Sequence, residues 1–303
     1  MTVCILAEPD DPVPSFVALK AERRGHDVLW LSESQLGNTW SFTMDDTRPQ
    51  RGYLVYNDRR YIFSELSGAY VNLNPQPALP FGIELGSDDM DTFMGSRRFI
   101  IRRLSDSLPV PTANRLRAGR SNNSKGYQMA ALAQGGFLVP DWVISNVPRD
   151  IDNFSGTHGG QVVCKSISGL RSRVQMYDVS MHERLNSGTT PIIAQQRIMG
   201  TDVRVHTVGG LAFATEIRTA SGVDYRFDSG EQKYSAVSIP ADVESQCHAF
   251  ADQEGMVIAG FDFVVTADDE WYCMEMNPFP TFLPYELATG QPISDALLDV
   301  IGG

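Results

Sequence analysis

The sequence predicts a mixed fold, an open α/β sheet at the start followed by an α+β region rich in antiparallel pairs. Three observations carry this expectation. Residues 1–35 alternate strand, helix and strand, the usual opening of a parallel sheet. From about residue 112 the texture changes to repeated apolar β runs joined by tight turns, among them Val203–Val208, Leu211–Ile217, Val257–Thr266 and Trp271–Met276. Finally, 303 residues with 42% hydrophobic and 20% charged content are enough to bury more than one core. The expected division is 1–112 for the open sheet, 113–190 for a first lobe and 191–303 for a second.

In order, Val3–Ala7 is a short apolar strand. Ser15 then precedes Phe16, Leu19 and Lys20 at helical spacing, Gly25 stops the helix, and Val28–Leu31 is the next strand. The loop after the first strand, Glu8-Pro9-Asp10-Asp11-Pro12, has no Gly-x-Gly-x-x-Gly, which argues against a dinucleotide site there. Tyr53–Tyr56 and Tyr61–Phe63 flank the hairpin turn Asn57-Asp58, and Ala69–Leu73 is a strand before the breakers Asn74-Pro75-Gln76-Pro77. Met90 to Leu104 reads as a helix. Beyond the boundary follow a helix over Lys125–Gly135, a strand around Val139–Ile144, a β run Gln161–Ser166, the strand Ile192–Ile198, and a helix Ala241–Glu254 between later strands.

Charge narrows the function. Twenty-five Lys+Arg against 37 Asp+Glu give −12, a balance that speaks against general binding of nucleic acid or an anionic membrane but leaves room for a local cationic cleft. The start, Met1 to Glu8, has no basic region and reads as a first strand rather than a signal peptide, and no run reaches the ~18 apolar residues of a membrane span. Cys4, Cys164, Cys247 and Cys273 are far apart, so buried reduced thiols in a cytoplasmic protein are expected.

The sharpest local signal is the segment Gly260 to Pro278. With Asp268-Asp269 as a two-residue turn, Ala267 faces Glu270 and Asp262 lies directly opposite Glu275. Asn277, two positions further, points to the same face. Opposed carboxylates repel unless a cation sits between them. Two carboxylates and a carboxamide oxygen are hard ligands that suit Mg²⁺ bridged to phosphates. A solvated polar edge is the competing reading, but Phe261, Phe263, Val265 and Met276 make the other face strongly apolar.

Cationic positions come next. Lys165 ends the run Val162-Val163-Cys164 and precedes a Ser/Gly loop containing Ser168 and Gly169, where one charge and several N–H groups can surround a polyphosphate. Lys125 opens a helix; Gly119 to Lys125 superficially follows a P-loop, but Ser124 and Gly126 stand in the wrong places and Walker A is rejected. Gly200 to Gly210 places Asp202, Arg204 and His206 on one face of a strand, with a cleft opposite the carboxylate hairpin as their expected surroundings. Arg226 is a further candidate. His206 is read as structural, since nothing in the sequence pairs with it, and no Ser/His/Asp or Cys/His nucleophile set is evident.

The order of these pieces resembles the ATP-grasp superfamily, specifically its RimK-like branch with the graspetide (microviridin-type) peptide ligases: Lys125, Lys165, Gln195-Gln196-Arg197-Ile198, Gly200-Thr201-Asp202-Val203-Arg204, Asp262, and Glu275-Met276-Asn277-Pro278. The resemblance spans about 113–290, and the opening β-α-β region is similar to a pre-ATP-grasp domain. It implies an ATP-grasp fold and an ATP-dependent carboxylate ligase that works through an acyl phosphate and releases ADP and phosphate. It further implies that Lys125 and Lys165 contact phosphates, that the hinge Gln195 to Ile198 meets adenine, and that Asp202 lies near the ribose. Asp262, Glu275 and Asn277 would bind one or two Mg²⁺ ions, with Arg204 and Arg226 near the γ-phosphate and acyl phosphate. Two departures stand out: Gln196 where many relatives have Glu, and no glycine in Pro278-Phe279-Pro280-Thr281-Phe282.

Three readings follow: a ligase acting on a peptide or protein, a ligase joining small amino acids or metabolites, and a nucleotide-binding module without turnover. The partners expected are a carboxylate donor and an amine or alcohol acceptor, with a homodimer left open.

Overall fold

The computed structural model describes all residues except 46, 74–86, 168–173, 182–190 and 219–231. The chain opens as β1 (Thr2–Ala7), α1 (Pro12–Arg23) and β2 (Asp27–Trp30), and β6 (Gly68–Asn72) and β7 (Thr112–Ala113) complete a four-stranded sheet of order β2-β1-β6-β7. All its pairings are parallel, as the β-α-β opening predicts. Asp11 starts α1 by accepting the Val13 N–H at 3.0 Å, with Pro12 at the first helical position where its missing donor does no harm.

Between β2 and β6 the chain makes a small antiparallel sheet, β3 (Trp40–Thr43), β4 (Tyr53–Tyr56) and β5 (Arg59–Ile62). Asn57 and Asp58 take φ of 47° and 62°, the two left-handed positions that a two-residue hairpin turn requires. Trp40, Leu54 and Phe63 pack with Cys4, Leu6 and Leu29 from the parallel sheet and with Ile101 and Leu104 of α2 (Ser87–Ser107).

The second part builds two more sheets. The first has order β10-β9-β11-β8, from β8 (Trp142–Ser145), β9 (Val162–Ser166), β10 (Gln175–Met176) and β11 (Ile192–Gln196). Helix α4 (Pro148–Thr157) covers its back through Ile151, against Val162, Cys164 and Ala194. The second is five-stranded, β14-β13-β12-β15-β16, from β12 (Thr201–Val208), β13 (Leu211–Arg218), β14 (Lys233–Val237), β15 (Ile258–Val265) and β16 (Trp271–Asn277). Its apolar face carries Val203, Val205, Phe261, Phe263 and Met276. Helices α3 (Lys125–Gln134) and α5 (Ala241–Gln253) bring Leu132, Cys247 and Phe250 against that face. Phe137 stacks on Phe261 with ring centroids 5.7 Å apart.

Two short helices close the chain, α6 (Leu283–Thr289) and α7 (Ile293–Gly302). Ile293, Leu297 and Ile301 share one core with Val3, Ile5 and Val17, so the last helix seals the face of the first sheet. Lys20 ties α1 to both, with Nζ 2.7 Å from Glu286 and 2.8 Å from Asp295. Among the described residues no helix is long and apolar enough to cross a membrane.

The carboxylate hairpin corrects one expectation. The loop holds three residues, not two: Thr266 donates its N–H to the Glu270 carbonyl at 3.0 Å, and Asp269 takes the left-handed conformation at φ 60°. That slip alone would take Glu275 out of line with Asp262. A β-bulge restores the alignment, because Phe263 pairs with Cys273 while Asp262 pairs with Glu275, leaving Met274 as the extra residue.

Candidate active site

The bulge matters because it sets which side chains face the cleft. Asp262 and Glu275 are direct register partners, and Gly260 pairs with Asn277 one step along the same face. Asn277 Nδ2 reaches Asp262 Oδ2 and Glu275 Oε1, each at 3.3 Å, so the three expected ligands converge. Burial pushes the Asp262 carboxyl up to about 6, while Arg204 pulls it down and Glu275 adds to the rise.

Two side chains hold this hairpin in place. Gln128 on α3 pairs with the Met276 backbone like a neighbouring strand, donating from Nε2 at 2.8 Å and accepting the N–H at 3.1 Å. Asn114, fully buried, accepts from Val257 N (2.7 Å) and Ile258 N (3.1 Å) and donates to the Ile258 and Pro278 carbonyls. Sequence reasoning passed over both. Gln128 stands one helical turn after Lys125, which is the only signal it gave.

A cleft of about 210 Å³ lies between the β9–β11 sheet and the carboxylate face, where one water needs only ~10–15 Å³. Its lining brings together Lys125, Lys165, Gln195, Gln196, Arg197, Ile198, Asp202, Asp262 and Glu275. Lys125 is placed by α3, whose N-cap Ser124 accepts the Tyr127 N–H at 3.5 Å. Lys165 projects from β9 beside Ile193 of β11, on the side away from α4. Val163, Val174, Met199, Val264 and Met274 add apolar walls.

The expected hinge, Gln195 to Ile198, covers the end of β11 and the start of the connection 197–200 to β12. Gln196 N and Arg197 N are bound to the carbonyls of Asp141 and Gln161 at 2.8 and 2.9 Å, which fixes the hinge to its neighbours. A Cβ on Gly200 would run into the Val265 carbonyl, so glycine is needed for the chain to cross over β15. Gln195 is 1% exposed, and its Nε2 is buried with no hydrogen-bond partner among the described residues.

Arg204 departs from its expected place. It does not face the hairpin across a cleft; β12 and β15 are neighbours in one sheet, and Arg204 is the register partner of Asp262, with Nη1 2.5 Å from Oδ1. On the strand face expected to line a cleft, Arg204 and His206 are buried and Asp202 is half-buried. His206 is fully buried against Tyr285, ring centroids 5.1 Å apart, and desolvation followed by the Arg204 charge holds its pKa well below the usual histidine value. That agrees with a structural, neutral histidine. Ser168, Gly169 and Arg226 lie outside the described residues.

The donor set fits Mg²⁺. Among the described residues no group of three or more His, Cys, Asp or Glu could hold a metal alone, so Asp262, Glu275 and Asn277 need phosphate or water oxygens to complete an octahedron. All four cysteines are buried free thiols; burial raises Cys4 to about 12 and Cys164 to about 11, far from a reactive thiolate.

No protein-family model matches the sequence, and no curated protein matches it. Solved structures do match. The macrocyclase MdnC bound with precursor peptide MdnA, from Microcystis aeruginosa MRC, has a TM-score of 0.81 at 20% identity over 100% of both chains. A RiPP-associated ATP-grasp ligase from Chryseobacterium gregarium, in complex with ADP and a leader and core peptide, gives 0.83 at 19% identity, covering 99% of this chain and 96% of that one. D-alanine–D-alanine ligase from Bacillus anthracis, complexed with ATP, gives 0.59 at 15% identity, covering 99% and 95%. This chain has the ATP-grasp ligase fold along its length.

Proposed function

We propose that the protein is an ATP- and Mg²⁺-dependent ligase that activates a carboxylate of a peptide as an acyl phosphate and passes it to an amine or alcohol. The observation that carries this is the convergence of two lysines, a hinge and two opposed carboxylates on one cleft. A carboxylate is a poor electrophile because its oxygen leaves badly; transfer of the γ-phosphoryl group gives it a phosphate leaving group.

In this reading Lys125 and Lys165 place positive charge on the phosphates. The Ile198 backbone, which makes no hydrogen bond to the described residues, meets the adenine edge, and Asp202 bonds the ribose. Asp262, Glu275 and Asn277 hold Mg²⁺, which when bound neutralises charge on the transferring phosphoryl group. Arg204 and Arg226 stabilise the γ-phosphate and the acyl phosphate. No side chain has to form a covalent bond to the substrate, in keeping with the buried thiols.

A peptide substrate is favoured by similarity to two structures that contain peptides, with TM-scores of 0.81 and 0.83, over D-alanine–D-alanine ligase at 0.59. The Chryseobacterium gregarium structure, which contains a leader and core peptide, supports a precursor with a leader as the substrate. The test is incubation with ATP, Mg²⁺ and candidate precursor peptides. Loss of one water per bond formed, with ADP and phosphate released in step, is the expected outcome. Product formed only from free amino acids would replace the peptide with a small substrate.

A further inference from the structure

Arg204 sits where a phosphate-binding arginine does no work. Its guanidinium contacts Asp262 Oδ1 at 2.5 Å and is almost fully buried, 5% exposed. The fold builds this position. Arg204 and Asp262 are register partners on adjacent strands. Gly260 leaves the space in which the guanidinium lies, for a Cβ there would stand 2.6 Å from Nη2. On the other side, Asn277 turns its NH₂ group to both carboxylates at 3.3 Å. Among the described residues, a guanidinium charge and a hydrogen-bonding amide NH₂ thus ease the repulsion of two opposed carboxylates, part of the task expected of a metal ion.

The two arrangements compete. To ligate a dication, Asn277 has to present its oxygen, and Asp262 has to share with the metal the carboxylate oxygens that Arg204 and Asn277 now contact. To turn its full charge to a phosphate, Arg204 has to loosen its hold on Asp262. We propose that Arg204 is a stand-in cation on the metal ligands, exchanged onto the phosphate when nucleotide arrives, so that metal and nucleotide bind strongly only together. The proposal rests on the cleft being an Mg²⁺-nucleotide site. Its consequence is a coupling set by one side chain: phosphate draws Arg204 away and frees the metal ligands, and metal at Asp262 releases Arg204 for phosphate.

The test is Mn²⁺ binding to the full chain followed by electron paramagnetic resonance, with and without ADP. Without nucleotide, Arg204→Gln is expected to bind Mn²⁺ roughly tenfold tighter than the wild type, within the usual range of such couplings. Its affinity for ADP with Mg²⁺ is expected to fall by about as much. Arg204→Lys keeps the charge and should bind Mn²⁺ alone about as weakly as the wild type. This reversal of sign between metal and nucleotide is not what a merely loosened structure gives. Unchanged or weaker Mn²⁺ binding by Arg204→Gln, with Mn²⁺–ADP still bound by the wild type, overturns the exchange. A wild-type measurement stands beside it: Mg²⁺ alone should leave the melting temperature where EDTA leaves it, and a clear rise contradicts the proposal. If the wild type binds no Mn²⁺ even with ADP, or Asp262→Asn with Glu275→Gln binds it equally well, the nucleotide-site reading itself fails, whatever Arg204 does.

Discussion

Single side chains decide the chemistry, and their roles separate cleanly. Lys165 lines the cleft, and under the proposed function its charge meets the phosphates, so Lys165→Ala should weaken ATP binding with the hinge intact. Glu275→Ala should instead abolish turnover with a smaller loss of nucleotide affinity, since the metal acts mainly on the transferring phosphoryl group. Calorimetric ATP titration beside steady-state rates separates the two; equal affinity in Lys165→Ala and wild type would remove Lys165 from phosphate binding. The Asp262–Glu275 pair was legible in the sequence because period-two alternation fixes faces once any register is set. Its correctness depended on two departures that cancel, the third loop residue and the bulge at Met274. A bulge leaves no compositional mark, so the sequence had no means to reveal it. Arg204, expected across a cleft from the hairpin, lies beside it instead, because strand order within a sheet is not written in the strand itself.

Elements were legible where their ends carry chemistry. Ser124 before Lys125, Asn57-Asp58 and Gly209-Gly210 each mark a boundary that the structure keeps, the glycines at φ 57° and 82°. Helices α4, α6 and α7 went unnoticed, as did β3 and β14, since short segments packed on one side carry little periodicity. What joins elements was less visible still. Asn114 spans the start of β15 and the end of β16 with a single carboxamide. Asn114→Ala leaves several buried backbone groups unpaired and should destabilise by about 3 kcal/mol. Thermal melting reads this as a fall of several degrees, and an unchanged melting temperature would show that the clamp is dispensable. The link from α1 to α7 predicts a pH effect. The Lys20 hydrogen bond is foremost in holding the Asp295 pKa below the usual carboxylate range. Its contribution is therefore present above an unfolded pKa of ~3.9 and lost as pH falls through the lower folded value. With Asp295 partly exposed, solvent screening keeps it small. Asp295→Asn should accordingly narrow the stability difference from wild type as pH drops below about 4, and a difference independent of pH would count against the ion pair.

At the scale of the whole molecule, four hydrophobic cores among the described residues frame a cleft between two sheets, and in an acidic chain that cleft is lined by Lys125, Lys165 and Arg197. Buried His206 sets an acid limit on the fold. Unfolded histidine takes a proton near pH ~6.5, whereas burial and Arg204 keep it neutral in the native state, so stability is full above that pH and falls below it. The slope approaches about 1.4 kcal/mol per pH unit, and His206→Gln, less stable at pH 8, should lose less on acidification. Parallel denaturation curves for the two proteins from pH 8 to 5 would contradict this. The central claim is that a carboxylate is activated as an acyl phosphate, and oxygen labelling tests it most directly. With a substrate whose coupled product has been seen, ¹⁸O in the reacting carboxylate should pass into the released phosphate, one atom per bond formed, alongside ADP. AMP and pyrophosphate as products, or phosphate free of label, would contradict the account.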